Sequence, residues 1–215
     1  MAVLCFICWY YPMGLYRNAE WTNAVHLRSF LLVLLIWQFF LFTSTFAHMI
    51  VAGLPNPDIA ASIMNLIFVL MFVFCGILAG PEDLPRFWIF MYRISPFTYI
   101  VEGFLGASLA DAPVECTDVE TLRFAPPTGT DCREYMYKYM SVAGGHLIDA
   151  SSDSIRQCEY CPLSSTNYFL ENFNMKFDNS WRNFGLLWAY IAFNITATVV
   201  FYWLARVPKK RRVQM

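Results

Sequence analysis

Three stretches of the chain run for more than twenty residues without an Asp, Glu, Lys or Arg: Ser29 to Gly53 (25 residues), Ile59 to Gly80 (22) and Asn183 to Ala205 (23). About 20 consecutive apolar residues cover the roughly 30 Å of a bilayer's hydrocarbon at ~1.5 Å rise per helical residue. The pattern therefore predicts membrane-crossing helices over 29–53, 59–80 and 183–205. A buried helix of a soluble protein rarely stays charge-free that long, and three of them in 215 residues exclude a soluble globular domain. Residues 1–16 are also uncharged but too short to cross, and read as the end of a truncated membrane helix followed by a loop at 17–28. A further apolar stretch, Phe87 to Leu109, is interrupted by Arg93, Pro96 and Glu102. Proline breaks the helical ladder and charges are costly in hydrocarbon, so residues 85–109 are expected to form re-entrant or interfacial helices, buried by surrounding protein.

The turn residues fit this division. Gly53-Leu54-Pro55-Asn56-Pro57-Asp58 forces a tight connection at 54–58, and Gly80-Pro81-Glu82-Asp83-Leu84-Pro85 closes the following span. Charge then supplies an orientation. Arg206, Lys209, Lys210, Arg211 and Arg212 follow the last span directly, so the positive-inside rule makes 206–215 a cytosolic tail. Counting back puts 54–58 in the cytosol and both 17–28 and the long polar segment 110–181 outside. Arg17 and Arg28 mildly oppose this assignment, and the five tail charges outweigh them. A net charge of −1 leaves no basic surplus for nucleic acid.

The 110–181 segment is too long for a connector and is expected to fold as a small extracellular domain. It holds Cys116, Cys132, Cys158 and Cys161, whereas Cys5, Cys8 and Cys75 lie in apolar runs. The Cys158-x-x-Cys161 spacing also suits half a zinc site or a redox dithiol, but the second close pair or strand–helix context those require is missing. An even cysteine count on the non-cytosolic side favours two disulfides, and spacing leaves all three pairings open.

Candidate chemistry is sparse. No Gly-rich phosphate loop ends in Gly-Lys-Ser/Thr, and no catalytic set is visible among His26, His48 and His146. Ser44, Thr45 and His48 share a helical face, a pattern that favours interhelical hydrogen bonding over a site. No catalytic residue, metal ligand or cofactor-binding residue is expected on this chain. Val69, Met71, Phe72 and Phe74 offer a soft apolar surface of the kind that accommodates varied lipophilic ligands.

Several strings coincide with one family. Tyr10-Tyr11-Pro12-Met13-Gly14-Leu15-Tyr16-Arg17-Asn18-Ala19 is followed by Phe42-Thr43-Ser44-Thr45-Phe46-Ala47-His48-Met49 and Phe74-Cys75-Gly76-Ile77-Leu78. Then come Phe87-Trp88-Ile89-Phe90-Met91-Tyr92-Arg93, Ser95-Pro96-Phe97-Thr98-Tyr99, Trp181-Arg182-Asn183-Phe184-Gly185 and Tyr202-Trp203-Leu204-Ala205-Arg206-Val207-Pro208-Lys209. Over its whole length the chain resembles the C-terminal part of the second transmembrane domain of fungal pleiotropic drug resistance transporters, the ABCG-type ABC exporters.

The resemblance implies an all-α polytopic membrane protein of the type V exporter fold, with re-entrant helices and a disulfide-bonded extracellular loop domain. It implies that the chain is a fragment holding the end of one membrane helix and the last three of its half. By the same resemblance the bridges are nested, Cys116–Cys161 and Cys132–Cys158. Val69 and Phe72 become candidate lining of the substrate slit, and Ile77 and Leu78 candidate plug residues above it. The implied function is export of lipophilic compounds, either multidrug efflux or lipid transport, driven by ATP and magnesium on nucleotide-binding domains outside this chain. The implied partners are the bilayer, the first membrane half, those nucleotide-binding domains and hydrophobic small molecules, at the plasma membrane. The alternative is a non-transporting accessory or vestigial membrane protein.

Overall fold

A computed structural model describes residues 1–78, 80, 84–114, 116–127, 129–148 and 158–206. Pro81, Glu82 and Asp83 of the second linker, and Lys209 to Arg212 of the basic tail, lie outside the described residues. The chain opens with helix α1 (Ala2–Tyr10) and a short α2 (Leu15–Glu20). Helix α3 (Val25–Gly53) follows and is the longest element, 29 residues or about 44 Å at ~1.5 Å per residue. It begins four residues before the charge-free window and draws Arg28 inside, to 2% exposure. A charge is tolerated there because it is paired: Arg28 donates to the Ala110 carbonyl and meets Asp111 at 2.8 Å. Its guanidinium also lies 4.8 Å from the centre of the Phe177 ring. The sequence-based loop over 17–28 is thus partly helix.

Helix α4 (Pro57–Val73) starts on proline at its first position, where the missing N–H costs nothing, with Asp58 suited to the helix's positive end. It ends after 17 residues, well before the charge-free window does. The interrupted stretch becomes two helices, α5 (Ile89–Ile94) and α6 (Pro96–Leu109), broken at Ser95. Pro96 does not kink a continuous helix; it starts the second one, again at the tolerated first position. The last helix, α9 (Ser180–Arg206), follows a single 3-10 turn (Phe177–Asn179).

Helices α3 and α9 share the largest interface of the fold, and α6 packs into the angle between them. One core cluster joins Leu31, Leu32, Leu35 and Ile36 of α3 to Phe6, Tyr10 and Ala107. A second joins Phe42 and Phe46 to Ile100, Leu187 and Ile191. Two polar contacts fix the register of α3 and α9: Gln38 donates to the Phe184 carbonyl at 2.8 Å, and Asn194 donates to Thr45 Oγ1 at 3.4 Å. Polar residues between membrane helices act in this way because hydrocarbon offers them no other partner. Thr45 therefore serves the interhelical contact expected of its face, while His48 stays exposed and bonds within its own helix, Nδ1 to the Ser44 carbonyl at 2.6 Å.

The 110–181 segment departs from the all-α expectation by adding a small sheet. Strands β1 (Leu122–Phe124), β2 (His146–Leu147) and β3 (Cys158–Cys161) pair antiparallel in the order β1-β3-β2. Helix α7 (Cys132–Ala143) lies between β1 and β2 in the chain, and α8 (Thr166–Asn172) leads back towards α9. Arg123 of β1 faces Glu159 of β3 in the ladder and pairs with it at 2.8 Å. Cys116 is bonded to Cys161 and Cys132 to Cys158, so both bridges converge on β3. A domain with so small a core gains stability chiefly from such cross-links. Tyr160, buried between them, donates to the Gly144 carbonyl at 2.7 Å. Gly145 has φ +85, and a Cβ there would stand 2.4 Å from the Cys161 carbonyl oxygen, so only glycine fits.

Candidate functional site

Helix α4 has two apolar faces with different fates. Met64, Ile67, Phe68 and Met71 recur at helical spacing and pack against α3 and α6. The opposite side carries Leu66, Val69, Phe72 and Val73, which remain 37–62% exposed. A contiguous apolar face without cover marks an interaction surface. The four soft residues noted in the sequence are thereby divided: Val69 and Phe72 lie on the open face and Met71 on the packed one. Phe74 stacks on Trp88, with ring centres 5.4 Å apart.

The candidate plug residues follow directly. The helix stops at Val73, and the chain turns at Gly76, which has φ +95. A Cβ on Gly76 would come within 2.7 Å of the Tyr92 ring. This turn ends α4 although hydropathy alone would continue it. Two hydroxyls from the start of α6 hold the turn in place. Ser95 Oγ donates to the Met71 carbonyl at 3.1 Å, and Thr98 Oγ1 lies within bonding distance of the Phe74 and Tyr92 carbonyls. These contacts satisfy carbonyls that a helix end leaves without partners. Ile77 and Leu78 emerge from the turn exposed, at 40% and 66%. The open face of α4, the turn and the α5–α6 pair are thus mechanically joined.

At the base of the pair sits Glu102, which charge patterning reads only as an interruption. It is 8% exposed and fully engaged. Asn179 Nδ2 donates to Oε1 at 2.8 Å, and Asn183 Nδ2 donates to Oε2 at 2.6 Å. The Lys176 backbone N–H reaches Oε1 at 3.4 Å, and the Arg182 guanidinium stands 3.9 Å from Oε2. A buried carboxylate persists only with such a set of donors. The clue in the sequence is a pair of asparagines four residues apart at the head of the last span, opposite one carboxylate in an apolar helix. Gly106 of α6 allows the approach, since its Cβ position lies 3.2 Å from the Phe177 backbone.

No group of His, Cys, Asp or Glu among the described residues is arranged to hold a metal. The titratable groups of the 110–181 segment respond to local structure. Thr117's N–H and hydroxyl hold the exposed Glu120 carboxyl below the usual carboxylate range, and burial pushes the Tyr160 phenol up. Neither arrangement resembles an acid–base pair.

The geometry suits a membrane domain. Two stretches, Val25–Gly53 and Phe177–Ala205, are long and apolar enough to cross a bilayer. The second leaves Phe193, Val199 and Trp203 63–65% exposed, a surface suited to lipid rather than water. Comparison with known proteins gives the family. Residues 1–109 match the model of the ABC-2 type transporter, and residues 162–213 match that of the CDR ABC transporter. The chain belongs to the ABC-2 type transporter family and is a membrane protein of the fungal pleiotropic drug resistance kind. It is 52% identical over 211 residues to ABC multidrug transporter F of Aspergillus fumigatus, covering 98% of this chain and 14% of that protein. It is also 52% identical over 215 residues to the ABC-type transporter eriD of Hericium erinaceus (99% and 15%), and 51% identical over 213 residues to ABC multidrug transporter atrG of Aspergillus oryzae (99% and 14%). The chain therefore spans about one seventh of the length of the curated relatives it matches.

Proposed function

We propose that this chain is the C-terminal part of the second membrane half of an ATP-driven exporter of lipophilic compounds. The observation that carries the reading is the open apolar face of α4, where Val69 and Phe72 stand uncovered beside a helix pair that ties down the helix end. In this reading α4 crosses the membrane together with α3 and α9, and its open face lines a slit shared with the first half. Ile77 and Leu78 close the slit on the outer side. The α5–α6 pair re-enters the membrane from outside and holds the plug turn through Ser95 and Thr98. The disulfide-bonded domain caps the outer surface, the basic tail faces the cytosol, and the protein resides in the plasma membrane. Nucleotide-binding domains elsewhere in the full-length protein bind ATP with magnesium and drive closure of the cytosolic side. The substrates are hydrophobic small molecules, xenobiotics or lipids, consistent with the multidrug names of the relatives.

The expected behaviour of Phe72→Ala follows. Removing an aromatic ring from a slit wall changes which molecules fit, by about 1–3 kcal/mol for ligands that contact it. In the full-length protein, Phe72→Ala is expected to shift resistance tenfold or more for some compounds and leave others unchanged. Resistance profiles of cells carrying equal amounts of wild type and variant measure this. An identical profile across a chemically varied panel would refute the slit assignment.

A further inference from the structure

Besides the open face of α4, the fold contains a second lipophilic feature on the other side of that helix. Helices α4 and α9 both pack on α3 and leave a groove between them of about 550 Å³. Phe42 and Phe46 form its floor, Met71 and Phe193 its walls, and Ile94 and Pro96 its upper end. Immediately above lies a recess of about 410 Å³ of opposite character, lined by Arg93, Lys176 and Arg182 around Glu102.

The two cavities adjoin through consecutive and touching residues. Arg93 lines the recess and Ile94 the groove; Tyr99 belongs to the recess and Tyr190 to the groove. The two tyrosine rings stand 6.3 Å apart, and Tyr190 donates to the Ile94 carbonyl at 2.8 Å. Along α9, Arg182, Leu186, Tyr190 and Asn194 recur every four residues and form one stripe running from the recess down the groove. The twelve steps from Arg182 to Asn194 span about 18 Å, close to the ~15 Å depth of one leaflet's hydrocarbon.

Charge selects the occupant. Three cations meet a single carboxylate in the recess, and both oxygens of Glu102 are already engaged by Asn179 and Asn183. Among the described residues, neither the Arg93 nor the Lys176 side chain has an ion-pair partner. Unpaired cations above an apolar groove of one-leaflet depth match a phosphate joined to an acyl chain. An apolar helix laid in the groove would fill it but bring no charge of its own to the cations.

We propose that this composite groove binds one phospholipid, with its phosphate at Arg93, Lys176 and Arg182 and an acyl chain lying along Leu186, Tyr190 and Phe193. The site rests on the reading that the head of α9 lies at the outer surface, and it is separate from the slit because Met71 and Phe72 face different sides of α4. The bound chain seals the α4–α9 gap and braces the α5–α6 pair from the lipid side.

The test uses the full-length protein in nanodiscs containing phosphatidylcholine that carries a diazirine in its acyl chain. After illumination, adducts are mapped by peptide mass spectrometry. Wild type is expected to label within residues 186–194 and at Met71. Ala189→Trp, which fills the groove, and the double variant Arg93→Gln/Lys176→Gln, which alters only exposed side chains, are each expected to lower that labelling at least about tenfold. A diazirine-bearing diacylglycerol, lacking the phosphate, is expected to be insensitive to the charge variant. Absence of adducts from wild type, as when another helix occupies the groove, overturns the proposal, and so does labelling unchanged in both variants. Labelling requires no transport, so failure of the slit assignment leaves this readout intact.

Discussion

Glu102→Ala is expected to destabilise the protein by about 2–4 kcal/mol, because it strips the acceptor from the buried Asn183 amide and the half-buried Asn179 amide. Asn183 is completely buried and donates to Oε2, and Asn179 donates to Oε1. Each unpaired buried donor costs about 1–3 kcal/mol, more than the net value of the bond it made. The Arg182 contact adds little, since it is 3.9 Å long and that side chain is largely exposed. Loss of the carboxylate also loosens the contact of α6 with the head of α9, so the effect extends to the Gly76 turn held by Ser95 and Thr98. Glu102→Gln keeps one acceptor oxygen but turns an amide towards other amide donors, and is expected to fall between wild type and Glu102→Ala. Thermal unfolding of the full-length protein in detergent checks the order. A Glu102→Ala midpoint equal to wild type would mean that the carboxylate is not the hub of this network.

Cys116→Ser/Cys161→Ser is expected to cost about 4 kcal/mol, from the loop-closure entropy restored to an unfolded segment of 45 residues. The same relation gives about 3.5 kcal/mol for Cys132→Ser/Cys158→Ser, whose bridge closes 26 residues. One loop lies inside the other, so loss of both costs less than the sum. A three-stranded sheet with strands of two to four residues has little core to replace them. The expected result is retention before the cell surface and a lower unfolding midpoint, measured by surface biotinylation and calorimetry. Normal delivery and an unchanged midpoint would show that the disulfide-bonded domain holds itself together otherwise.

These two sites also mark the boundary of what the sequence discloses. A long charge-free window is a local property, and it makes the apolar runs of α3 and α9 visible from composition alone. Where a helix stops is different. The charge-free run after Ile59 continues past Val73, yet the helix ends there, because Gly76 turns beside Tyr92 and Ser95 and Thr98 supply hydroxyls from another element. Arg28 reads as a loop residue until its partner Asp111, 83 residues away, is brought to it. Glu102 reads as a defect for the same reason, its donors lying 74 to 81 residues on. The pairing of Cys116, Cys132, Cys158 and Cys161 depends equally on a sheet that no spacing reveals. Among the soft residues near the end of α4, hydrophobicity is uniform and only packing separates Val69 and Phe72 from Met71 and Phe74.

The central claim, that the open face of α4 lines a substrate path, is tested most directly by cysteine protection in the full-length protein. Val69→Cys and Phe72→Cys, with Val199→Cys on the exposed side of α9 as reference, are each reacted with a maleimide in the presence and absence of a transported compound. The compound is expected to slow labelling at positions 69 and 72 and leave position 199 unchanged. Equal labelling at all three, or protection confined to position 199, would contradict the account.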